Sequence, residues 1–222
     1  MGWNTAFAFI GQRGQVGYLG TFPLHRAKRA TEILAGIEQR RTKSRIATLD
    51  EGLAPPPGWF CIGAYDRSAI LCGLDELYGF VERPRPTLES ALSKVFLDGT
   101  VLFGELASAT NYFAYALYED GHRRRAMAGD STRGVVIDEG ELQPEEKSHF
   151  DQSLERDGKR IFRAAVGAEV REFTLPAYGE ALVFAMTARF LGRPLDVFPA
   201  ENLSVEVVKK AAANPLVRLF RR

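Results

Sequence analysis

The chain has 222 residues, of which 45% are hydrophobic and 26% are charged. These values are ordinary for a globular protein and exclude a disordered or fibrous chain. The formal net charge of +1 argues against general nucleic-acid affinity, which needs a concentrated positive surface. No apolar run approaches the ~18–20 residues that span a bilayer, and the start, MGWNTAFAFIG, lacks a basic leader, so we expect a cytoplasmic protein without a membrane partner.

Residues 3–20 predict a strand, a glycine-rich turn and a second strand. Placing the turn at Arg13–Gly14 pairs Phe9 with Tyr18 and Ala8 with Leu19. Four glycines recur at every third position in this stretch: Gly11, Gly14, Gly17 and Gly20. They match no phosphate-binding motif, and Pro23 rather than a glycine precedes the next helical pattern, so the hairpin interpretation is favoured over a phosphate loop.

The segments between residues 24 and 106 alternate between helical and strand patterns. Consecutive prolines at 55–57 predict a stiff connection, because they exclude both helix and sheet ladder. The predicted elements are a helix over 24–41, a strand over 44–49, a hairpin over 59–73, a short helix over 74–81, a helix over 87–96 and a strand over 100–106.

Both cysteines lie in the predicted 59–73 hairpin. If Asp66–Arg67 is its turn, Cys61 lies directly opposite Cys72, and Ile62 opposite Leu71 on the other face. A redox pair is one interpretation of this placement. Two buried, reduced thiols that pack as small hydrophobic groups are the favoured one in a cytoplasmic protein. No CxxC or HxxxH spacing predicts a metal site.

The clearest hairpin signal is NYFAYALYEDGHRRRAM at 111–127, in which Asp120–Gly121 suits a two-residue turn. A regular register from that turn pairs Glu119 with His122, Tyr118 with Arg123, Leu117 with Arg124, Ala116 with Arg125 and Ala114 with Met127. It places four residues on one face, which we call the Tyr–Arg face: Tyr112, Tyr118, Arg123 and Arg125. The same register predicts a core face of Phe113, Tyr115, Leu117 and Ala126, with Arg124 at its rim. Tyrosine and arginine are typical of interface hot spots, so the Tyr–Arg face is the best candidate binding surface. The alternative is that a helix covers this face and the arginines reach past it to water.

The last third of the chain predicts a strand, helices and one ambiguous segment. Gly134–Asp138 continues the strands, and Pro144 suits the start of an acidic helix over 145–156. Residues 161–174 fit either a strand or irregular chain. The segment 178–191 is apolar nearly all round and predicts a helix buried against the sheet, and a last helix capped by Ser204 is expected to end at Asn214–Pro215.

Charge is distributed unevenly along the chain. Residues 1–48 hold eight Lys and Arg against two Glu, whereas residues 138–157 hold eight acidic residues against Lys147 and Arg156. Two solvated faces are the favoured interpretation. A basic and an acidic surface, each selecting a partner of opposite charge, are the alternative.

No catalytic constellation is predicted. The three histidines, His25, His122 and His149, stand apart from any recognisable nucleophile motif. Four carboxylates lie on or between the central strands without metal-ligand spacing: Glu105, Asp130, Asp138 and Glu139. We therefore expect neither a metal nor another cofactor.

Three stretches resemble an uncharacterised bacterial family, known mainly from actinobacteria and catalogued as a domain of unknown function. They are PPPGWFCIGAYDRSAILCG, NYFAYALYEDGHRRRAMAGDSTRGVVIDEGE and GEALVFAMTARFLGRP. The resemblance covers most of residues 1–195, and its shared features are turn and core patterns. It implies no activity and no functional residues.

These patterns predict one α+β domain over residues 1–222, with a mainly antiparallel sheet of about six to eight strands built from hairpins and with helices on at least one face. The first hypothesis for function is a non-catalytic binding or regulatory module, for example of the immunity type, whose partner is another protein or a second copy. The second is an enzyme or small-ligand-binding protein whose site combines scattered residues such as Glu105, Tyr112 and Arg123. A deep polar pocket would favour the second hypothesis, and a flat surface rich in Tyr and Arg would favour the first.

Overall fold

The computed structural model describes residues 2–39, 42–96 and 98–211. Twelve strands form in this part of the chain, nine of them in one sheet. The strands of the large sheet are β1 (Asn4–Gln12), β2 (Lys43–Thr48), β3 (Trp59–Ala64), β4 (Ser68–Cys72), β5 (Gly99–Ala107), β6 (Tyr112–Glu119), β7 (His122–Asp130), β8 (Gly134–Gly140) and β12 (Ser204–Lys209), and those of a small sheet are β9 (Leu154–Arg156), β10 (Lys159–Val166) and β11 (Glu169–Thr174). The described helices are α1 (Ala27–Gly36), α2 (Leu49–Leu53), α3 (Pro86–Ser93), α4 (Pro144–Asp151) and α5 (Leu175–Leu191).

The large sheet has the order β2-β12-β3-β4-β1-β5-β6-β7-β8, and its neighbouring strands run antiparallel. The small sheet has the order β11-β10-β9. The predicted α+β class is confirmed, although the main sheet is one strand longer than expected. None of the described helices is long and apolar enough to cross a membrane.

Apolar side chains are buried on both faces of the large sheet, because alternate residues of each strand point to opposite sides. On one face, Phe9, Leu102 and Leu117 pack with α2 and α5. On the other face, Ile62 and Phe103 pack with α1, α3 and the turns of residues 74–83. The helices therefore cover both faces.

Helix α5 has more buried residues than any other described helix, with ten of its 17 residues buried. Its sequence contains few polar residues, as expected for a helix that contacts neighbours on several sides. Gly179 lies against the ring of Phe113, where a Cβ atom would overlap the ring. The prediction that this segment is a buried helix is confirmed.

Two sequence-based elements are wrong. Residues 3–20 do not form a hairpin: β1 pairs with β4 and β5 instead, and the chain after Gly17, whose φ is 71°, forms a short 3₁₀ turn at Tyr18–Thr21. The Ser204-capped helix is also wrong, since Ser204–Lys209 is strand β12, inserted between β2 and β3. Val205 and Val207 are buried on one face of the sheet, and Val208 is buried on the other. Burial on both faces favours a strand over a helix with one apolar side. Residues 212–215 of that predicted helix lie outside the described residues.

Four other segments differ in detail from the sequence-based expectation. The predicted helix at 74–81 is a series of turns, and the ambiguous 161–174 segment is the β10–β11 hairpin. Helix α1 covers Ala27–Gly36 of the expected 24–41 range, of which residues 40 and 41 lie outside the described residues. The acidic helix ends at Asp151.

The register of the β6–β7 hairpin changes at a β-bulge. Glu119 pairs with His122 and Tyr118 with Arg123, as predicted, but Leu117 then pairs with Arg125, which leaves Arg124 as the extra residue. The predicted pairs of Leu117 with Arg124, Ala116 with Arg125 and Ala114 with Met127 are therefore wrong. Gly140 permits the bulge, because a Cβ atom there would overlap the Arg124 carbonyl group.

The bulge exchanges the faces on which the residues after Arg124 lie. Met127 joins Tyr115 and Leu117 in the core beneath α5, and Ala126 moves to the opposite core. Arg125 moves with Met127. The Tyr–Arg face is consequently not assembled as predicted.

Candidate functional site

Arg125 is buried in an ionic network beneath α4, with only 1% of its side chain exposed. Its Nε donates to Glu146 Oε1 at 2.8 Å and its Nη1 to Asp138 Oδ1 at 2.6 Å, and the Tyr115 hydroxyl donates to Glu146 Oε2 at 2.9 Å. Burial raises the pKa of the Glu146 carboxyl, and the Arg125 charge opposes that shift. These contacts attach α4 to the sheet and leave the guanidinium inaccessible to a partner.

Tyr118 is also buried, at 3% exposure. The ring of Phe103 stacks on Phe80 with 3.8 Å between centroids, and Tyr118 meets Phe103 edge-on at 5.6 Å. The turns of residues 74–83 thus cover this part of the sheet. The alternative sequence interpretation expected such a cover but assigned it to a helix. Arg123 remains at the surface and forms an ion pair with Glu139.

Tyr112 lies at the opposite end of β6, in a separate polar cluster. Its ring is 6.0 Å from the Arg133 guanidinium, and Arg133 Nη1 donates to Glu82 at 2.9 Å. Burial and the nearby charge of Glu105 raise the pKa of the Tyr112 hydroxyl. The structure therefore brings Glu105 and Tyr112 together, with Arg133 in place of the Arg123 expected from the sequence.

A polar cavity of about 260 Å³ adjoins Tyr112 at the start of α5. The Trp3 amide donates to Ser108 Oγ at 2.8 Å, and Ser108 Oγ donates to Glu180 Oε2 at 2.7 Å. These bonds hold the Glu180 carboxylate at the cavity wall. The cavity is a small one whose polar groups are largely bonded to each other.

The cysteine hairpin has the predicted register. Cys61 pairs with Cys72 and Ile62 with Leu71, and both thiols are free and fully buried. Two effects raise the pKa of the Cys61 thiol: the hydrogen bond with Cys72, which is the larger, and burial. The Tyr65 amide donates to the Ser68 carbonyl at 2.9 Å, so the alternation along the ladder makes Cys61–Cys72 a widely spaced, hydrogen-bonded pair.

Two neighbouring cavities share Asp75, and together we call them the Asp75 groove. The first, of about 770 Å³, lies between the end of α1 and the start of α3 and is lined by 36–39, 75–76, 84–88 and Ala91. The second, of about 340 Å³, is lined by Asn4, 54–59, Gly73, Asp75, Tyr78 and Lys210. Asp75 thus lies in the wall of both cavities, and the proline-rich connection lies in the wall of the second.

The Asp75 groove combines carboxylates with apolar and aromatic groups, and its lining also includes the basic residues Arg85 and Lys210, of which Lys210 pairs with Asp75. Glu38, Asp75 and Glu76 supply the carboxylates, while Trp59 and Tyr78 supply aromatic rings, of which Tyr78 is 37% exposed. Burial raises the pKa of the Tyr78 hydroxyl, so that it remains a neutral hydrogen-bond donor. This arrangement suits a ligand that is cationic, partly apolar and extended.

Hydrogen bonds hold the wall of the Asp75 groove in place. The Arg85 guanidinium reaches the carbonyl groups of Asp75, Glu76 and Tyr78. Gln39 Nε2 donates to Glu76 Oε1 at 3.4 Å, which joins the end of α1 to this turn. These hydrogen bonds therefore hold the turn that carries the Asp75 and Glu76 carboxylates.

Sequence patterns did not identify the Asp75 groove, because its walls come from segments that are far apart along the chain, from Asn4 to Lys210. The rigid Pro55–Pro57 run beside Trp59 was the available signal, and it was interpreted only as a connection. Asp75 and Glu76 belong to the segment that was predicted to be a short helix. Only the packing of α1 and α3 against that segment creates the recess.

A family model covers residues 9–198 of the chain. Its description is a family of unknown function, DUF6928. The chain belongs to this family. Neither a curated protein nor a solved structure matches the chain significantly. Membership in DUF6928 agrees with the sequence resemblance and assigns no activity to the Asp75 groove.

Proposed function

We propose that this DUF6928 protein is a non-catalytic binding module that takes an extended basic segment of a polypeptide in its Asp75 groove. The observation that carries the proposal is that two cavities share Asp75 in their walls. Glu38 and Glu76 line the first, and the half-buried Trp59 and the exposed Tyr78 line the second. Extended peptides are recognised by grooves with pockets for alternate side chains, and cationic side chains are favoured by carboxylates and aromatic faces.

The charge distribution supports the same function. Five of the eight acidic residues in 138–157 pair with arginine or lysine inside the described structure: Asp138, Glu139, Glu145, Glu146 and Asp151. That segment is therefore a poorer site for a basic partner than its composition indicated. Within the described residues Glu38 forms no ion pair, and Glu76 contacts only Gln39 through its carboxylate.

Photo-cross-linking tests the location of binding. The probe is a synthetic peptide of six Arg-Leu repeats that carries one benzophenone group, and the control is the matching Glu-Leu peptide. We expect the basic peptide at saturating concentration to label residues 36–39, 54–59 and 75–91, as mapped by mass spectrometry. The acidic peptide should leave them unlabelled.

A comparison surface on the same chain makes the experiment discriminating. The small sheet exposes Glu155 and Asp157, for which the described residues provide no ion pair. If the basic peptide labels the small sheet as strongly as the groove, attraction between opposite charges alone explains binding, and the proposed site is wrong.

A small-ligand function is a second candidate, favoured by the cavity of about 260 Å³ beside Tyr112. The cavity holds a carboxylate, Glu180, whose orientation is set by Ser108. A small amine is the class of ligand that would complement it. Nuclear magnetic resonance titration with ethylamine, comparing the native chain with Glu180→Gln, tests this: shifts at Ser108 and Tyr112 that the substitution removes would support it.

A further inference from the structure

The chain approaches the Asp75 groove from its own C-terminal side. Strand β12 ends at Lys209, and the next residue makes two contacts with the groove wall: the Lys210 amide donates to the Gly58 carbonyl at 2.8 Å, and Lys210 Nζ lies 2.6 Å from Asp75 Oδ1. Gly58 and Asp75 both line the second cavity. Lys210 therefore holds this part of the chain at the wall of the second cavity.

The sequence that follows has the chemistry that the groove selects. Residues 212–222, which lie outside the described residues, read AANPLVRLFRR. They combine three arginines with four large apolar side chains: Arg218, Arg221 and Arg222 with Leu216, Val217, Leu219 and Phe220. No acidic residue interrupts them.

Length permits the same conclusion. An extended chain spans at most ~3.3–3.6 Å per residue, so eleven residues reach up to about 36–40 Å. That reach allows the segment to enter the second cavity, whose wall already includes Lys210. A short tether also gives an effective concentration in the millimolar range, so even a weak intrinsic affinity suffices for occupancy.

We infer that the basic segment 212–222 of this same chain is a ligand of the Asp75 groove and binds it intramolecularly. The inference rests on the proposed function, since it names the basic segment that the groove accepts. The segment then competes with external ligands: a basic partner binds the groove only when it displaces residues 212–222. Binding by the module is thereby self-limited.

The test uses the full-length chain and a labelled peptide with the sequence of residues 212–222, measured by fluorescence anisotropy. The key variant replaces Arg218, Arg221 and Arg222 with glutamine, which weakens the segment without adding negative charge. Because the tether competes at roughly millimolar effective concentration, we expect the variant to bind the peptide at least about tenfold more tightly than the native chain.

Further substitutions in that variant background locate the binding. Asp75→Asn with Glu76→Gln should weaken peptide binding, whereas Glu155→Gln with Asp157→Asn on the small sheet should leave it unchanged. Equal affinities of the native chain and the Arg→Gln variant, with binding at the groove, would overturn the intramolecular ligand and leave the proposed function standing.

Two other outcomes are decisive. If neither chain binds the 212–222 peptide or the Arg-Leu peptide, the proposed function itself is wrong. If sedimentation shows a concentration-dependent dimer that the Arg→Gln variant abolishes, the segment binds a second copy, and the intramolecular inference is overturned.

Discussion

Arg125 shows how one residue can join three elements of the fold. Its guanidinium contacts Glu146 on α4 and Asp138 on β8, while the residue itself belongs to β7. Breaking a buried ion pair is costly, because the remaining partner keeps its charge without compensation. The same strand supplies a contrast in Arg123, whose pair with Glu139 is at the surface.

Replacement of Arg125 with methionine should lower the free energy of unfolding by about 3–5 kcal/mol, since Glu146 would be left buried and unpaired. Urea denaturation followed by circular dichroism measures the change. Arg123→Met is the matched control and should cost less than about 1 kcal/mol. Similar losses for both variants would contradict a special role of the buried pair.

The two cysteines should be chemically inert in the folded protein. Both are fully buried, and the pKa of Cys61 is raised, so the reactive thiolate is scarce. We expect iodoacetamide to modify neither thiol in the native state and both in denaturant, as counted by mass spectrometry. Rapid native modification, or a Cys61–Cys72 cross-link on mild oxidation with diamide, would restore the redox interpretation.

Asp130 stabilises the turn between β7 and β8. Its Oδ1 accepts hydrogen bonds from the Thr132 and Arg133 amides at 2.8 and 2.7 Å. These bonds and the Arg133 guanidinium lower the pKa of Asp130, so folding favours the ionised form. The resulting stability is present above the usual carboxyl pKa of about 3.9 and is lost as pH falls through the lower pKa of the folded state.

Asp130→Asn should therefore have a lower melting temperature than the native chain at pH 7, and this difference should shrink as the pH is lowered below about 4. Differential scanning calorimetry across that range measures it. Asp157→Asn, at an exposed turn of the small sheet, is the control and should show little difference at any pH. A difference for Asp130→Asn that does not change with pH would indicate that shape, rather than charge, sustains the turn.

At the scale of elements, α4 is held by two consecutive glutamates that serve different partners. Glu145 pairs with Arg189 of α5 at 2.8 Å, while Glu146 pairs with Arg125 of β7. Arg189 also reaches Glu119 at 2.8 Å, at the end of β6. Ion pairs to two different elements thus help to position a helix that has one buried apolar residue, Phe150.

Helix α5 is held in place by packing, and at Gly179 it lies directly against the Phe113 ring of the sheet. Alanine normally stabilises a helix interior by about 1 kcal/mol relative to glycine. At Gly179 the added methyl group would overlap the Phe113 ring, and overpacking of that kind costs about 1–3 kcal/mol.

We expect Gly179→Ala to lower the free energy of unfolding despite its higher helix propensity. Gly36→Ala, at the end of α1 where nothing lies within 4 Å of the added atom, should be neutral or stabilising. Chemical denaturation of both variants checks the contrast. A stabilised Gly179→Ala variant would show that α5 can shift away from β6 without loss of packing.

At the scale of the whole molecule, the large sheet joins distant parts of the chain. Strand β12 pairs with β2 and β3, and β1 lies between β4 and β5. The sheet is therefore complete only when segments near both ends of the described chain have joined it. The same arrangement brings Lys210 beside Asp75, 135 positions apart in the sequence, at the Asp75 groove.

The amino-acid sequence by itself determined the hairpins with tight turns and the buried helix. Asp66–Arg67 and Asp120–Gly121 set their local registers, because a two-residue turn specifies which residues are opposed. The apolar run of α5 predicted its burial for the same reason, since a helix without a polar side needs neighbours on several sides.

Tertiary structure alone decided the partners of β1 and β12, the bulge at Arg124 and the Asp75 groove. Strand pairing between distant segments depends on which surfaces are left to be covered, and local propensity carries no information about that choice. The bulge moved Arg125 from a predicted surface to the core. Gly140 leaves room for the bulge, and Glu146 on α4 compensates the buried charge of Arg125. The groove likewise arises where α1, α3 and the turn at Asp75 meet, and none of these segments forms it by itself.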